Sequence, residues 1–221
     1  MGLVILDCDG VLVDSEIIAH QLLAQMMMDL GHPMTAAESI QKFAGRSLPD
    51  ILPLIEANLG RSIPDHLGER YGTLLLERLR RDLKPITGAK EAIAALCGPY
   101  CVASSSSLQR IRLSLEVTGL APLFGSNIFS ASEVAHGKPA PDLYLFAARS
   151  MAVIPENCVV VEDSALGARA GRAAGMRVIG FTGGSHATSD AARYLAAAGA
   201  HSIISSMSEL PVTVERMLSR T

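Results

Sequence analysis

Six short, largely apolar runs rich in β-branched residues punctuate the chain: Leu3 to Leu6, Tyr100 to Ala103, Asn127 to Ser130, Cys158 to Val161, Met176 to Phe181 and Ser202 to Ile204. Most are continuously apolar rather than alternating, as strands covered on both faces must be. Stretches with helical spacing lie between them. Strands that alternate with helices predict an α/β fold, a doubly wound parallel sheet with helices on both sides.

The first interval breaks this rhythm. About ninety residues separate the first strand from the second, far more than one crossover helix needs. Their pattern is helical. Glu16 to Leu30 is stopped by Gly31, a short helix is opened by the Thr35 and Glu38 capping box, another is closed by Gly60, and a fourth runs from about Asp65 to Leu83 before Pro85. The expected division is therefore an α/β core of residues 1–14 and 85–221 and an inserted helical cap of residues 15–84. Thr87 to Cys97 then resumes the core as its first crossover helix. Within the cap, Met26, Met27 and Met28 cannot share one helix face, so at least one of them is expected to be plain core.

Composition narrows the function. Apolar residues make up 49% of 221, enough for a substantial core. The net charge is -3, basic residues cluster only at Arg78, Arg80 and Arg81, and aromatics make up 4%. That leaves neither a basic face nor stacking residues for nucleic acid. No segment approaches the ~18 apolar residues of a membrane span. Two aspartates interrupt the N-terminal apolar run too early for a signal-peptide core. The expectation is a cytoplasmic monomer or homodimer with no nucleic-acid and no membrane partner. The four cysteines lack CxxC spacing and read as reduced, mostly buried thiols.

The chemistry gathers at strand ends. Asp7 and Asp9 leave the first apolar run two residues apart, at the carboxyl end of a parallel strand, where open α/β sheets place their ligands. Glu162 and Asp163 repeat the arrangement after Cys158 to Val161. Buried carboxylates are costly without a cation, and if the two strands are neighbours their oxygens converge as magnesium requires. Ser104 closes the second strand and opens a run to Ser107 whose hydroxyls and helix-opening N–H groups suit a phosphate. Lys138, set among Gly137, Pro139 and Pro141, supplies a fixed cation.

Plainer roles compete at several positions. Ser15 reads as a helix N-cap, and Ser105 to Ser107 as a solvated helix start. Asp14 reads as a turn and hinge residue, Gly10 as the bend after the strand, and His136 as an exposed loop residue. Gly167, Gly171 and Gly175 read as close helix–sheet packing ended by a cap rather than a dinucleotide fingerprint.

Taken in order, DCDGVLVDS at 7–15, the Ser104 strand end, the Lys138 loop and VVVED ending at Asp163, the chain resembles the haloacid dehalogenase superfamily, among its phosphatases with a helical cap after the first strand. The resemblance implies that Asp7 attacks phosphorus to form an aspartyl phosphate and that Asp9 serves as acid and then base. It further implies Mg2+ held by Asp7, the Asp9 carbonyl and Asp163, with Glu162 either a further ligand or a support behind them, and with Ser104 and Lys138 steadying the transferring group. The partner implied is a small phosphorylated metabolite. Ser105 and Arg46 are the candidate substrate-binding residues, with an Arg46 to Asp50 pair as the plainer reading of that arginine. The alternative reaction is that of the β-phosphoglucomutase branch. Against it stand Ala19 and Leu48 at the positions matching that branch's cap histidine and arginine, with His20 one residue out of step and rotated by about 100°. A catalytically silent binding module of the same fold is the remaining alternative, opposed by the intact Asp7, Asp9, Ser104, Lys138 and Asp163.

Overall fold

In the computed structural model, which describes residues 2–64 and 66–219, each apolar run forms a strand. They are β1 (Leu3–Leu6), β2 (Tyr100–Ser104), β3 (Ile128–Ser130), β4 (Cys158–Glu162), β5 (Arg177–Phe181) and β6 (Ser202–Ile204). All five pairings are parallel, in the order β3-β2-β1-β4-β5-β6. The chain winds outward from β1 through β2 to β3, then crosses back to place β4 on the other side of β1. Ligands bind outside the carboxyl ends of strands at such a reversal.

Successive side chains of a strand point to opposite faces, and both faces are covered. Leu3, Ile5, Val160 and Val178 pack with α8 (Asp142–Ser150), α9 (Ala165–Ala173) and α10 (Ala191–Ala197). Val4, Leu6, Val159 and Val161 pack on the other side with α5 (Ala89–Ala94), α6 (Leu108–Val117) and α11 (Leu210–Leu218). A short α7 (Ala121–Phe124) precedes β3. Full burial of side chains such as Leu3 and Ile5 contributes about 1.5–3 kcal/mol each.

Before α5, the interval after β1 holds four helices among the described residues: α1 (Glu16–Asp29), α2 (Ala36–Phe43), α3 (Leu48–Leu59) and α4 (Leu67–Asp82). The reciprocal Thr35–Glu38 capping box opens α2 as expected. The expected start of α4 at Asp65 lies outside the described residues. Met26 and Met27 are buried while Met28 is exposed. The apolar interior of these helices is continuous with the Val4 and Leu6 face of the sheet. The two connections between insert and sheet run side by side: Val13 bridges Pro85, Asp14 N–H donates to Lys84 O at 3.0 Å, and Ile86 N–H donates to Leu12 O at 2.9 Å.

The first crossover helix is shorter than the 87–97 expected. Thr87 and Gly88 belong to a turn in which Ala89 N–H donates to Ile86 O, and Leu96 to Pro99 carry the chain over to β2. Cys8, Cys101 and Cys158 are buried free thiols and Cys97 is exposed. Among the described residues no helix is long and apolar enough to cross a membrane.

Candidate active site

Register sets the site. Leu6 of β1 lies opposite Val161 of β4 and Val102 of β2, so the residues that follow emerge side by side at the carboxyl edge of the sheet. Asp7 N–H still donates to Val161 O at 3.0 Å. Beyond it the chain bends at Gly10, whose φ of 77° favours glycine. A Cβ there would also lie 1.8 Å from Asp163 Oδ2, so glycine is required twice over.

Asp7, Glu162 and Asp163 each bring one carboxylate oxygen within 4.8 Å of the others. Lys138 enters from the loop before α8, and its Nζ donates to Asp7 Oδ1 at 2.8 Å and Glu162 Oε1 at 2.6 Å. Glu162 is saturated: Tyr144 Oη donates to Oε1 at 2.7 Å, while the N–H and hydroxyl of Ser164 both donate to Oε2. It holds the lysine in place. Lys138, Tyr144 and Glu162 are all buried, and an ion pair so enclosed is sustained only by such added hydrogen bonds.

Burial pushes the Asp7 carboxyl well above the usual carboxylate range. Lys138 pulls against that shift, and the neighbouring Glu162, Asp163 and Asp9 charges add to it. Asp163 is likewise raised, to about 6, by burial, against its contact with His186. Hard oxygen donors crowded beyond what the local cations balance suit a divalent ion of the magnesium kind. The residues present fit that group.

Asp9 behaves differently. Burial opposes its ionisation, yet the Arg110 guanidinium and the hydroxyls of Ser106 and Ser15 outweigh that and hold it below the usual range. Arg110 Nη2 lies 2.6 Å from Oδ1, Ser15 Oγ donates to Oδ1 at 2.5 Å, and Ser106 Oγ donates to Oδ2 at 2.6 Å. Ser104 Oγ completes the set at 3.3 Å while accepting from Ser106 N–H.

Two plain readings of the serines are thereby corrected. Ser15 occupies the N-cap position of α1 but makes no side-chain cap, because its hydroxyl is engaged by Asp9. Ser106 is not part of a solvated start, and only Ser107 caps α6, accepting from Arg110 N–H. Ser105 lines the cleft without a side-chain hydrogen bond among the described contacts. His136 is exposed and pairs with Asp142 at 3.1 Å.

Above these residues a cleft of about 610 Å³ opens toward the inserted helices, a volume suited to a small metabolite. Asp7, Asp9, Ser104 and Lys138 line its floor. Arg46, from the α2–α3 turn, lines its roof together with Glu69, Glu77 and Arg80 of α4. The turn comes close because Gly45, at φ 78°, lies where a Cβ would be 2.7 Å from Ser164 Cβ. The alternative Arg46 to Asp50 pair is not made among the described contacts. Asp50 accepts instead from Ser47 Oγ at 2.5 Å. His20 does not line the cleft: it lies 2.8 Å from Ser39 and 3.1 Å from Glu16, which does line it, and Ala19 is buried.

Sequence reasoning missed Arg110, Tyr144 and His186. Arg110 carried a signal, since a cation in the first turn of a helix opposes the helix dipole and needs a partner. Tyr144 sits on the buried face of α8 beside Leu143 and Ala147 and looks like ordinary core.

The model of the haloacid dehalogenase-like hydrolase family matches residues 1–175. The 6-phosphogluconate phosphatase of Escherichia coli (strain K12) is 32% identical over 184 residues, 83% of each chain. Among solved structures, a haloacid dehalogenase-like protein of unknown function from Agrobacterium tumefaciens str. C58 is 42% identical, with a TM-score of 0.86 over 98% of this chain and 99% of that one. A HAD family hydrolase from Deinococcus radiodurans R1, with bound phosphate and sodium, is 32% identical, with a TM-score of 0.79 over 98% and 96%.

Proposed function

This chain belongs to the haloacid dehalogenase-like hydrolase family and is a phosphoric monoester hydrolase of that family, and on that premise we propose that it is a Mg2+-dependent phosphatase acting on a small phosphorylated metabolite, a sugar phosphate or similar organic monoester, through an aspartyl phosphate on Asp7. The observation that carries the proposal is the meeting of Asp7 and Asp163 from neighbouring strands, with Lys138 Nζ 2.8 Å from Asp7. The 6-phosphogluconate phosphatase likeness supports the substrate class, and the phosphate and cation in the Deinococcus neighbour support a site for both.

In this reading Asp7 attacks phosphorus as the bond to the leaving oxygen breaks, and Asp9 gives that oxygen its proton. Asp9 then takes a proton from water, the water attacks the phosphoryl group, and Asp7 and inorganic phosphate are released. For Asp9 to carry a proton, Arg110 must first leave it, and an incoming phosphate is the anion that draws the guanidinium away. Ser104, Ser105 and Lys138 hold the transferring oxygens. Asp7, the Asp9 carbonyl and Asp163 would hold magnesium, which would supply positive charge against the repulsion between anionic nucleophile and anionic substrate. Glu162 serves by anchoring Lys138. Arg46 takes a second anionic group on the substrate. Residues 15–84 act as a cap over a core of residues 1–14 and 85–221, moving about the paired connections at Asp14 and Lys84.

The purified protein is expected to release inorganic phosphate from sugar phosphates with added Mg2+ and to lose that activity in excess chelator. Undiminished turnover in chelator would remove the metal. An isomeric sugar phosphate in place of free phosphate would assign the mutase reaction instead.

A further inference from the structure

The loop after β5 reaches the metal carboxylates without entering the cleft. His186 Nε2 lies 2.9 Å from Asp163 Oδ2, and both side chains are more than nine-tenths buried. His186 is absent from the residues lining the cleft, so it acts through Asp163 and not on substrate. Its place is built by glycines on two sides. A Cβ on Gly10 would lie 2.8 Å from its Cε1, and one on Gly184 would lie 2.7 Å from the same atom. Its Nδ1 is buried and has no hydrogen-bond partner among the described residues, so among them Asp163 is the one polar group that fixes the ring. Beside it, Ser185 donates from N–H (3.1 Å) and Oγ (2.8 Å) to Asp14 Oδ1. Asp14 in turn donates its N–H to Lys84 O. The same two residues therefore grip the connection to the inserted helices and the carboxylate at the tip of β4.

We propose that His186 is a positioning residue for the metal centre: its Nε2–H holds Asp163 Oδ2 and so fixes the orientation of the carboxylate that, with Asp7, would hold the ion. A carboxylate free to rotate binds a metal less tightly, because its ordering must then be met from the binding energy. The tie to Asp14 keeps this loop in register with the chain that leads into α1. The inference rests on the magnesium reading above.

The test uses the full chain, freed of metal by chelator and titrated with MgCl2 by calorimetry, together with the Mg2+ dependence of phosphate release. H186A is expected to weaken Mg2+ binding by about 10- to 100-fold, with the substrate KM at saturating Mg2+ unchanged. H186Q keeps a terminal N–H donor and recovers most of the loss, which separates the hydrogen bond from bulk packing. Wild-type Mg2+ affinity in a folded H186A protein would overturn the proposal, as would an H186Q protein as weak as H186A. Mg2+ binding by the unsubstituted chain with no effect of H186A leaves the phosphatase reading standing. No Mg2+ binding by the unsubstituted chain overturns both.

Discussion

The two walls of the cleft are held in opposite ways. At the carboxyl end of the sheet every carboxylate is gripped: Asp7 by Lys138, Asp9 by Arg110 and the serines, Glu162 by Lys138, Tyr144 and Ser164, and Asp163 by His186. On the inserted helices Arg46, Glu69, Glu77 and Arg80 face the same cleft exposed. Among the described contacts their side chains have no hydrogen bond or ion pair. Fixed donors and charges stabilise a transition state because they need no rearrangement at the moment of reaction. Solvated, flexible charges instead order only when a ligand of the right shape arrives, at an entropic cost each time. Under the proposed function, chemistry is committed to the sheet, and selection is left to the helices.

Substitutions on the two walls should separate these roles, and the largest effect belongs to Asp7, the proposed nucleophile. D7N replaces a carboxylate by an amide that cannot attack phosphorus. Phosphate release should fall by at least about 10³-fold with an unchanged circular dichroism spectrum, since Lys138 keeps Glu162 as its partner. Substantial residual turnover in an uncontaminated preparation would place the nucleophile elsewhere.

K138M should lower kcat by about 10²- to 10³-fold. It should also destabilise the fold, because Asp7 and Glu162 are left as buried carboxylates without their cation, a loss of about 3–5 kcal/mol for a broken buried pair. Denaturant unfolding beside steady-state kinetics reads both effects. An active, stable K138M protein would dissolve the contrast between the walls.

R46A tests the other wall. KM should rise about 10-fold for a sugar phosphate bearing a second anionic group, the size expected for losing a charged hydrogen bond, with little change in kcat and a smaller rise for a neutral aryl phosphate. A fall in kcat equal to that of K138M would put Arg46 with the catalytic groups.

The smallest effect is local. The N–H and hydroxyl of Thr35 hold the Glu38 carboxyl below its ordinary value of 4.5. Its folded pKa is depressed, so the capping contribution to α2 is complete above pH 4.5 and is lost as pH falls through the folded value. Amide chemical shifts of residues 36–43 should move toward coil below pH 4.5, and E38Q should remove that pH dependence while leaving the sheet untouched.

The fold was legible because its signal is carried by many positions at once. Continuous apolar runs gave all six strands to within a residue or so, and the ninety-residue interval showed the insert. The place of the candidate site was equally open to reading, since Asp7, Asp9, Glu162 and Asp163 stand at the ends of apolar strands, where open α/β sheets place their ligands, and the fold brings Asp7, Glu162 and Asp163 together. Arg110, Tyr144 and His186 were not. Tyr144 and His186 sit in segments whose own pattern is satisfied locally, Arg110 shows only that it needs some partner, and each meets a carboxylate remote in sequence. The same holds for Ser15, where a cap preference worth about 1 kcal/mol yields to a charge-assisted hydrogen bond with Asp9.

The order of residues by itself determined the parallel sheet, the helical insert and the carboxylates at the strand tips, because hydrophobic period and strand-end placement are local properties of the chain. Only the tertiary structure decided how those carboxylates divide their partners: Asp9 held ionised by Arg110, Glu162 saturated by its neighbours, Asp7 raised by burial, and Asp163 tied to His186. The physical reason is that charge balance in a buried site is a sum over groups brought within a few ångströms by the sheet register, and spacing along the chain says nothing of which cation will face which anion.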